Sequence, residues 1–274
     1  IRQYSLCGDP ADCSRYVFTV QREAEGRGGS KAMFEHVRLG CTLTISRPRN
    51  QVPLHEDTRR HVLLAGGIGI TPIMAMVCHL QRIRAYLTLH YCTRSPERTA
   101  FMSRLQPLVE AGCAFIHWDG GDPSKGLDIK AALREYADGT HLYYCGPPGF
   151  MRSVAAAASH WPPGATHREY FTPPADPTVP ADDEGALGSP FKVKLVRTGL
   201  TLDIPADKTI LNVLREHDVE VETACELGVC GTCRTRYLEG EPDHRDFVLE
   251  EHEHKHEMTV CCSRSKSPLL ILDL

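Results

Sequence analysis

The stretch Ala224-Cys225-Glu226-Leu227-Gly228-Val229-Cys230-Gly231-Thr232-Cys233, followed further on by Cys261-Cys262, decides how the chain is read. Four residues separate Cys225 from Cys230 and two separate Cys230 from Cys233, the thiolate spacing of a plant-type [2Fe–2S] centre. Two irons bridged by two sulfides take four thiolates. A short loop supplies three of them only if its backbone folds tightly, with amide N–H groups aimed at sulfur. Gly228 and Gly231 meet that need, because a residue without Cβ allows close approach and unusual dihedrals. A structural zinc site or a set of buried free thiols is the alternative, but zinc more often draws on two separated ligand pairs. The fourth ligand is Cys261 or Cys262. Neighbours on an extended segment point to opposite sides, so only one of them can face the cluster.

The chain has 274 residues, enough for two or three domains with separate cores. Its twelve cysteines form no compact disulfide framework and no signal peptide precedes them; those outside the loop read as small buried hydrophobes in a reducing cytoplasm. No apolar run is long enough to span a bilayer. The net charge of −4 argues against phosphate-neutralising nucleic-acid binding. From Pro190 onward there are 11 Lys+Arg against 16 Asp+Glu, so the cysteine-bearing segment carries the acidity, a surface suited to a basic partner or simply to solvent.

Apolar alternation marks strands over 14–20 and 41–45. Between them Gly26-Arg27-Gly28-Gly29-Ser30 opens a short helix over 31–37, where free N–H groups, Arg27, Ser30 and Lys31 could receive a phosphate. From His61 the pattern becomes alternating strand and helix: a strand over 61–65, a helix to about Arg84 with Thr71 as N-cap and Pro72 at its first position, a strand over 85–92, a helix over 96–109, a strand over 113–118, a helix over 129–136 capped by Asp128, a strand over 141–145, a helix over 150–160 and a short strand over 167–171. Repeated β-α units imply a parallel sheet with ligands beyond the carboxyl ends of its strands. Two such ends are glycine-rich, Gly66-Gly67-Ile68-Gly69 and Gly146-Pro147-Pro148-Gly149, although the first lacks the G-x-G-x-x-G spacing and is equally consistent with a tight turn. The Pro, Ala, Gly and acid-rich stretch over 173–190 is a linker. Beyond it a hairpin (191–196 and 200–204), a helix over 209–217 and a closing strand over 269–272 form a small mixed module around the cysteine loop. The His-rich run 251–257 reads as a solvated surface, and His79 and His90 read as structural, without evident partners.

The order of motifs resembles the phthalate dioxygenase reductase family, single-chain reductases of Rieske-type oxygenase systems, across nearly the whole chain. The runs that carry the resemblance are Arg2-Gln3-Tyr4-Ser5, Gly28-Gly29-Ser30, Gly66 to Pro72, Tyr143-Tyr144-Cys145-Gly146-Pro147-Pro148, Glu169-Tyr170-Phe171, the cysteine loop, His244-Arg245-Asp246 and Leu272-Asp273-Leu274. The resemblance implies a multidomain fold: a partial antiparallel β-barrel flavin domain over 1–56, an α/β parallel-sheet NAD-binding domain over 57–172, the linker over 173–190, and an α+β, β-grasp-like plant-type ferredoxin domain over 191–274. Only about 55 residues precede the nucleotide domain, where a flavin barrel of roughly a hundred is expected. The expectation is therefore that an N-terminal portion of the barrel is omitted from the sequence.

By the same resemblance, Arg2, Gly28, Gly29 and Ser30 would bind the phosphate of FMN, Tyr4 would pack on its ring, and Ser5 would hydrogen-bond near flavin N5. Thr71 would lie close to the flavin while Gly66, Gly67 and Gly69 approach the dinucleotide. Cys145, Gly146 and Pro147 would line the nicotinamide pocket, Phe171 would cover the flavin ring, and Arg94 would approach the nucleotide. Cys225, Cys230, Cys233 and Cys261 would hold the cluster. The implied activity is electron transfer from NADH through FMN to [2Fe–2S] and on to a Rieske-type oxygenase, with Ser5, Thr71, Cys145 and Phe171 at the reacting end. NADH is favoured over NADPH, although Arg94 and Arg98 could attract a ribose phosphate. A reductase for a haem or di-iron hydroxylase is one competing reading, and a ferredoxin-like carrier or redox sensor without nicotinamide oxidation is another.

Overall fold

The computed structural model describes residues 1–26, 28–174 and 188–274. Most of the expected linker over 173–190 lies outside the described residues, as does Arg27. The chain forms two compact units, one of Tyr4–Pro174 and one that joins Ile1–Gln3 to the C-terminal residues ending at Leu274.

In the first unit, helix α1 (Gly29–His36) forms where the glycine turn was expected to open one. The strands expected over 14–20 and 41–45 do not form. Among the described residues that region keeps one antiparallel bridge, Leu6 to Phe18, supported by Cys7 N donating to Val17 O at 2.8 Å. Apolar alternation makes a strand only where a neighbouring strand takes its N–H and C=O groups and another layer covers one face. Leu43 and Ile45 remain 44% and 61% exposed, so that condition is unmet.

The α/β core of this unit agrees with the sequence reading. Strands β1 (Arg60–Gly66), β2 (Leu87–Thr93), β3 (Ala114–Trp118), β4 (Thr140–Cys145) and β5 (Thr166–Glu169) pair in parallel in the order β3-β2-β1-β4-β5. Both faces of the central strands are buried, which is why they read as continuous apolar runs. Leu63, Ala65, Tyr143 and Cys145 join a core with α2 (Ile70–Arg82) and α3 (Met102–Glu110). Leu64, Leu142 and Tyr144 join a second core with α4 (Ile129–Ala132) and α5 (Pro148–Ala157). Helix α2 buries Ile70, Ile73, Met74, Val77 and Leu80, one stripe at helical spacing.

Several boundaries differ for local reasons. Thr71 is not an N-cap: a 3-10 turn over Gly67–Gly69 leads into α2 at Ile70, and Thr71 Oγ1 donates to Ile68 O at 3.0 Å from inside the first turn. The helix expected over 96–109 is divided, because Thr99 Oγ1 donates to Ser95 O at 2.9 Å and meets Thr93 Oγ1 at 2.8 Å, folding the turn back on β2. Phe101 then takes φ 62° and α3 starts at Met102. Helix α4 stops early where Trp161 Nε1 donates to Leu133 O at 3.1 Å, while Asp128 caps it by accepting from Ala131 N at 3.0 Å. His79 and His90 do have partners: Glu56 Oε1 lies 2.8 Å from His79 Nε2, and His117 Nε2 lies 3.1 Å from His90 Nδ1.

The second unit is a five-stranded sheet backed by one helix. Its strands are β6 (Phe191–Leu195), β7 (Thr201–Ile204), β8 (Arg234–Glu239), β10 (Glu257–Thr259) and β12 (Leu269–Leu272), in the order β10-β8-β12-β6-β7, and β9 (Pro242–Asp243) pairs separately with β11 (Arg264–Ser265). Only β6 and β12 run parallel; the other pairs are antiparallel. Helix α6 (Ile210–Glu216) starts at Thr209, whose side chain accepts from Asn212 N at 3.1 Å, and buries Ile210, Leu211, Val213 and Leu214 against Phe191, Val193, Leu195, Leu202 and Ile204. Each such side chain, fully buried, is worth about 1.5–3 kcal/mol.

Arg264, 2% exposed, ties this core to its loops. Its guanidinium donates to Lys208 O at 2.6 Å, Ser189 O at 3.0 Å and Pro205 O at 3.1 Å, and lies over the Phe191 ring at 5.0 Å. Replacing it with Met keeps the volume but strands three carbonyls. Arg264→Met should therefore destabilise the unit by about 3 kcal/mol, visible as an earlier thermal loss of the cluster's visible absorption; an unchanged midpoint would show that water satisfies those carbonyls.

Candidate functional site

The carboxyl ends of β1, β4 and β5 meet through backbone, and glycine makes the meeting possible. A Cβ built on Gly69 would run into the Cys145 carbonyl and stand 2.7 Å from Gly146 N. One built on Gly146 would lie 2.6 Å from Phe150 Cδ1 and 3.1 Å from Gly66 Cα. The two glycine-rich turns are thus packed peptide against peptide, and Gly67 takes φ 53°, where no side chain is needed. Pro147 precedes α5 in extended conformation, with Pro148 at its first position, so the helix N-terminus begins at the β4 end.

Three side chains converge there. Cys145 ends β4, is 1% exposed, and stands in register with Glu169 at the end of β5. Glu169 Oε1 accepts a hydrogen bond from Ser5 Oγ at 2.5 Å. Burial raises the Glu169 pKa, and the Ser5 hydroxyl opposes the rise. Burial, reinforced by the Glu169 carboxylate, pushes the Cys145 thiol well above its ordinary value, so it is a neutral group here. Glu169 belongs to the run Glu169-Tyr170-Phe171, and the resemblance that run carries assigns it no role. Its partner Ser5 lies 164 positions away, a separation that no local pattern reports.

The other expected residues of this unit lie on separate elements. Tyr4 stacks on Phe18 with ring centroids 5.6 Å apart. Gly28, at φ 81°, is the N-cap of α1, Gly29 is its first residue, and Ser30 Oγ accepts from Glu23 N at 3.0 Å. Thr71 is buried beneath the β1 turn. Arg94 is exposed in the loop after β2, and Phe171, 37% exposed, follows β5. Arg2 belongs to the other unit, where its guanidinium donates to Ile1 O at 2.7 Å.

In the second unit the cysteine loop has the shape its glycines suggested. Glu226, Gly228 and Gly231 take φ 58°, 72° and 64°, and Leu227 N and Thr232 N point at Cys225 Sγ (3.3 Å) and Cys230 Sγ (3.4 Å). Phe247 N donates to Gly228 O at 2.9 Å and fixes the loop from outside. The thiols fall into two hydrogen-bonded groups. Cys225 donates to Cys230 and, with Thr232, brings the Cys230 thiol down to about 5. Cys261 does the same for Cys233, lowering it. Cys230, Cys233 and Cys261 are 1%, 3% and 5% exposed. Four thiols in two close pairs, walled by Val229 and Val260 and met by backbone amides, fit a binuclear iron–sulfur centre.

The expectation that Cys261 and Cys262 point to opposite sides is not met, because both lie in a turn rather than on an extended segment. Cys261 hydrogen-bonds Cys262, whose pKa falls to about 7 with help from Thr259, 3.1 Å away. A Cβ on Gly228 would stand 2.6 Å from Cys262 Sγ, so this fifth thiol lies against the loop itself. In the His-rich run, His252 is exposed beside Glu250 at 3.3 Å as expected, but His254 turns inward, 3.2 Å from Asp246 Oδ1 and stacked on His244 at 4.0 Å.

Residues 63–156 match the family model of an oxidoreductase NAD-binding domain, and residues 193–266 match that of a 2Fe-2S iron-sulfur cluster binding domain. The reductase subunit of a tert-butanol monooxygenase / tert-amyl alcohol desaturase from Aquincola tertiaricarbonis is 49% identical over 280 residues, covering 100% of this chain and 82% of that protein. The solved structure of phthalate dioxygenase reductase, a modular structure for electron transfer from pyridine nucleotides to [2Fe–2S], is 39% identical with a TM-score of 0.69, covering 100% of this chain and 83% of that one. An intact type IV self-sufficient cytochrome P450 monooxygenase is 36% identical with a TM-score of 0.87, covering 100% of this chain and 35% of that one.

The peptide-to-peptide contact of the two glycine turns makes a directional prediction. Gly69→Ala should cost about 1–3 kcal/mol through overpacking, whereas Gly149→Ala, whose Cβ would meet only Arg152 Nη2 at 3.9 Å, should gain about 0.5–1 kcal/mol of helix stability. Thermal unfolding of the two variants side by side checks this; equal midpoints would mean the turns are not in contact.

Proposed function

The chain belongs to the phthalate dioxygenase reductase family, and from that membership we propose that it takes electrons from NADH through FMN to a [2Fe–2S] cluster and on to a Rieske-type oxygenase. The observation that carries the reading is the presence in one chain of the Ser5–Glu169–Cys145 cluster at a parallel-sheet end and the paired thiols of the cysteine loop. The domain limits that go with it are 1–56 for flavin, 57–172 for nucleotide, 173–190 for the linker and 191–274 for the cluster. Unbridged thiols on every described cysteine agree with a cytoplasmic location.

A bound flavin would supply the conversion between a two-electron nicotinamide donor and a one-electron iron–sulfur acceptor. The chain's own part is positioning. Gly67, with nothing within 4 Å of where its Cβ would stand, leaves backbone open to a dinucleotide, while Gly66, Gly69 and Gly146 let the two turns that frame it close on each other, with Pro147 and the N-terminus of α5 beside them. Cys145, neutral and buried, gives the nicotinamide an apolar, chargeless wall. Glu169 accepts the hydrogen bond of the Ser5 hydroxyl and holds it at a fixed angle beside the reacting atoms. Thr71 supports that floor from below and Phe171 covers it from the β5 side. Tyr4 packs on the flavin ring, while Gly28, Gly29 and Ser30 take the flavin phosphate. Arg94 faces the nucleotide. Cys225 with Cys230, and Cys233 with Cys261, are the four cluster ligands, and Cys262 is a neighbour that does not ligate.

A haem protein is the second acceptor class, favoured by one observation: the whole chain aligns to part of a self-sufficient P450. Relative rates with a purified Rieske-type oxygenase and a haem monooxygenase, both driven by NADH, decide between them.

Three variants test the assignment of steps. Cys261→Ser should abolish the cluster's visible bands and all transfer to the oxygenase while NADH still bleaches the flavin; Cys262→Ser should keep both. The reverse pattern would exchange the two cysteines. Glu169→Ala should slow NADH-driven flavin bleaching at least tenfold with cluster bands unaltered, and an unchanged rate would remove Glu169 from the reacting end.

A further inference from the structure

Toward the amino ends of β4 and β5, three imidazoles meet. His141 and His167 each occupy the second position of their strands, β4 and β5, and His141 Nδ1 lies 2.8 Å from His167 Nε2 with the rings 5.1 Å apart and 9° from parallel. His55, on the segment that leads into β1, lies against both, with ring centroids 4.8 Å from each. One ring nitrogen from each of the three lies within 4.8 Å of the others. His141 precedes Cys145 by four strand residues, about 13 Å, and His167 precedes Glu169 by two, about 7 Å, so the cluster sits on the strands that carry the nucleotide end, nearer their amino ends.

Its surroundings hold the rings in place. His55 N donates to Tyr143 Oη at 2.8 Å, and the Tyr143 ring stacks on His167 at 4.5 Å. His55 O is 2.9 Å from His61 Nε2, which also meets Thr58 Oγ1 at 2.7 Å, so the fourth histidine is committed to shaping the turn. His55 itself is exposed and leaves the group open to solvent.

We propose that His55, His141 and His167 form a three-imidazole site for a borderline divalent cation, zinc foremost, with water completing the tetrahedron. Imidazole without carboxylate or thiolate selects zinc, copper or nickel over magnesium or calcium. Ring nitrogens 2.8 Å apart share one proton; when the ion binds, that proton moves to the other nitrogen of its own ring, which leaves both facing nitrogens free to ligate. Zn–N bonds of 2.0–2.1 Å put tetrahedral nitrogens about 3.3 Å apart, so the His141–His167 pair opens by about half an ångström while His55 moves in. The ion then clips the segment before β1 to β4 and β5. Rings that merely stack would have no such affinity.

The test is zinc uptake by the cofactor-loaded chain, cluster integrity being followed by its visible bands, using equilibrium dialysis and metal analysis against His55→Ala and His167→Gln. Wild type should take up one more zinc per chain than either variant, with at least a hundredfold tighter binding at that site, and zinc should raise the thermal midpoint of wild type alone. Since His55 is exposed, its truncation leaves the fold standing, and the remaining cysteines and histidines bind equally in all three proteins. Equal uptake in wild type and His55→Ala, or no midpoint shift in wild type, would overturn the proposal.

Discussion

The contact between the Gly66–Gly69 turn and the Cys145–Gly146 peptide is the constraint on which the nucleotide end depends. Parallel strands place their carboxyl ends side by side, but side chains would normally keep the following turns apart. Here three glycines let two turns touch through backbone. The consequence is that Cys145 is held against the sheet, in register with Glu169, and that Glu169 is close enough for Ser5 to reach it. A buried thiol, a carboxyl with a raised pKa and a hydroxyl are then fixed within one small region without any charge pair to hold them. Rigidity there comes from packing, which suits a site whose task is to hold two flat rings in register rather than to perform elaborate acid–base chemistry.

The second unit solves a different problem with related means. A cluster of iron and sulfide needs four soft ligands and a dry, amide-lined cradle. Left-handed residues at 226, 228 and 231 turn the loop so that its N–H groups face inward, and α6 with the five-stranded sheet supplies the apolar wall. Arg264 brings the one large charge into this core, and three carbonyls meet it. The two units therefore divide the labour that the electron count demands, one shaped for a two-electron donor and one for a one-electron acceptor.

What could be read from sequence follows the range of the forces involved. The cysteine loop was legible because its ligands and glycines lie within ten consecutive positions. The α/β alternation was legible because strands buried on both faces are continuously apolar. Tertiary contacts were not. The break before α3 depends on Thr99 reaching back to Thr93 and Ser95, and the end of α4 on Trp161 reaching Leu133. Glu169 acquires its role from Ser5, and the three-histidine cluster is drawn from positions 55, 141 and 167, which share no local pattern. The pairing of Cys261 with Cys262 escaped because a turn, not a strand, carries them. At 14–20 and 41–45, alternation was present but the partners that turn it into strands were not among the described residues.

The measurement that bears most directly on the central claim is an anaerobic visible titration of the purified chain with NADH, with the flavin released and identified afterwards. The account predicts that flavin and iron–sulfur bands both bleach and that the released flavin is FMN. Iron–sulfur bands that persist under excess NADH, or their presence without any flavin, would contradict it and leave the chain as an electron carrier.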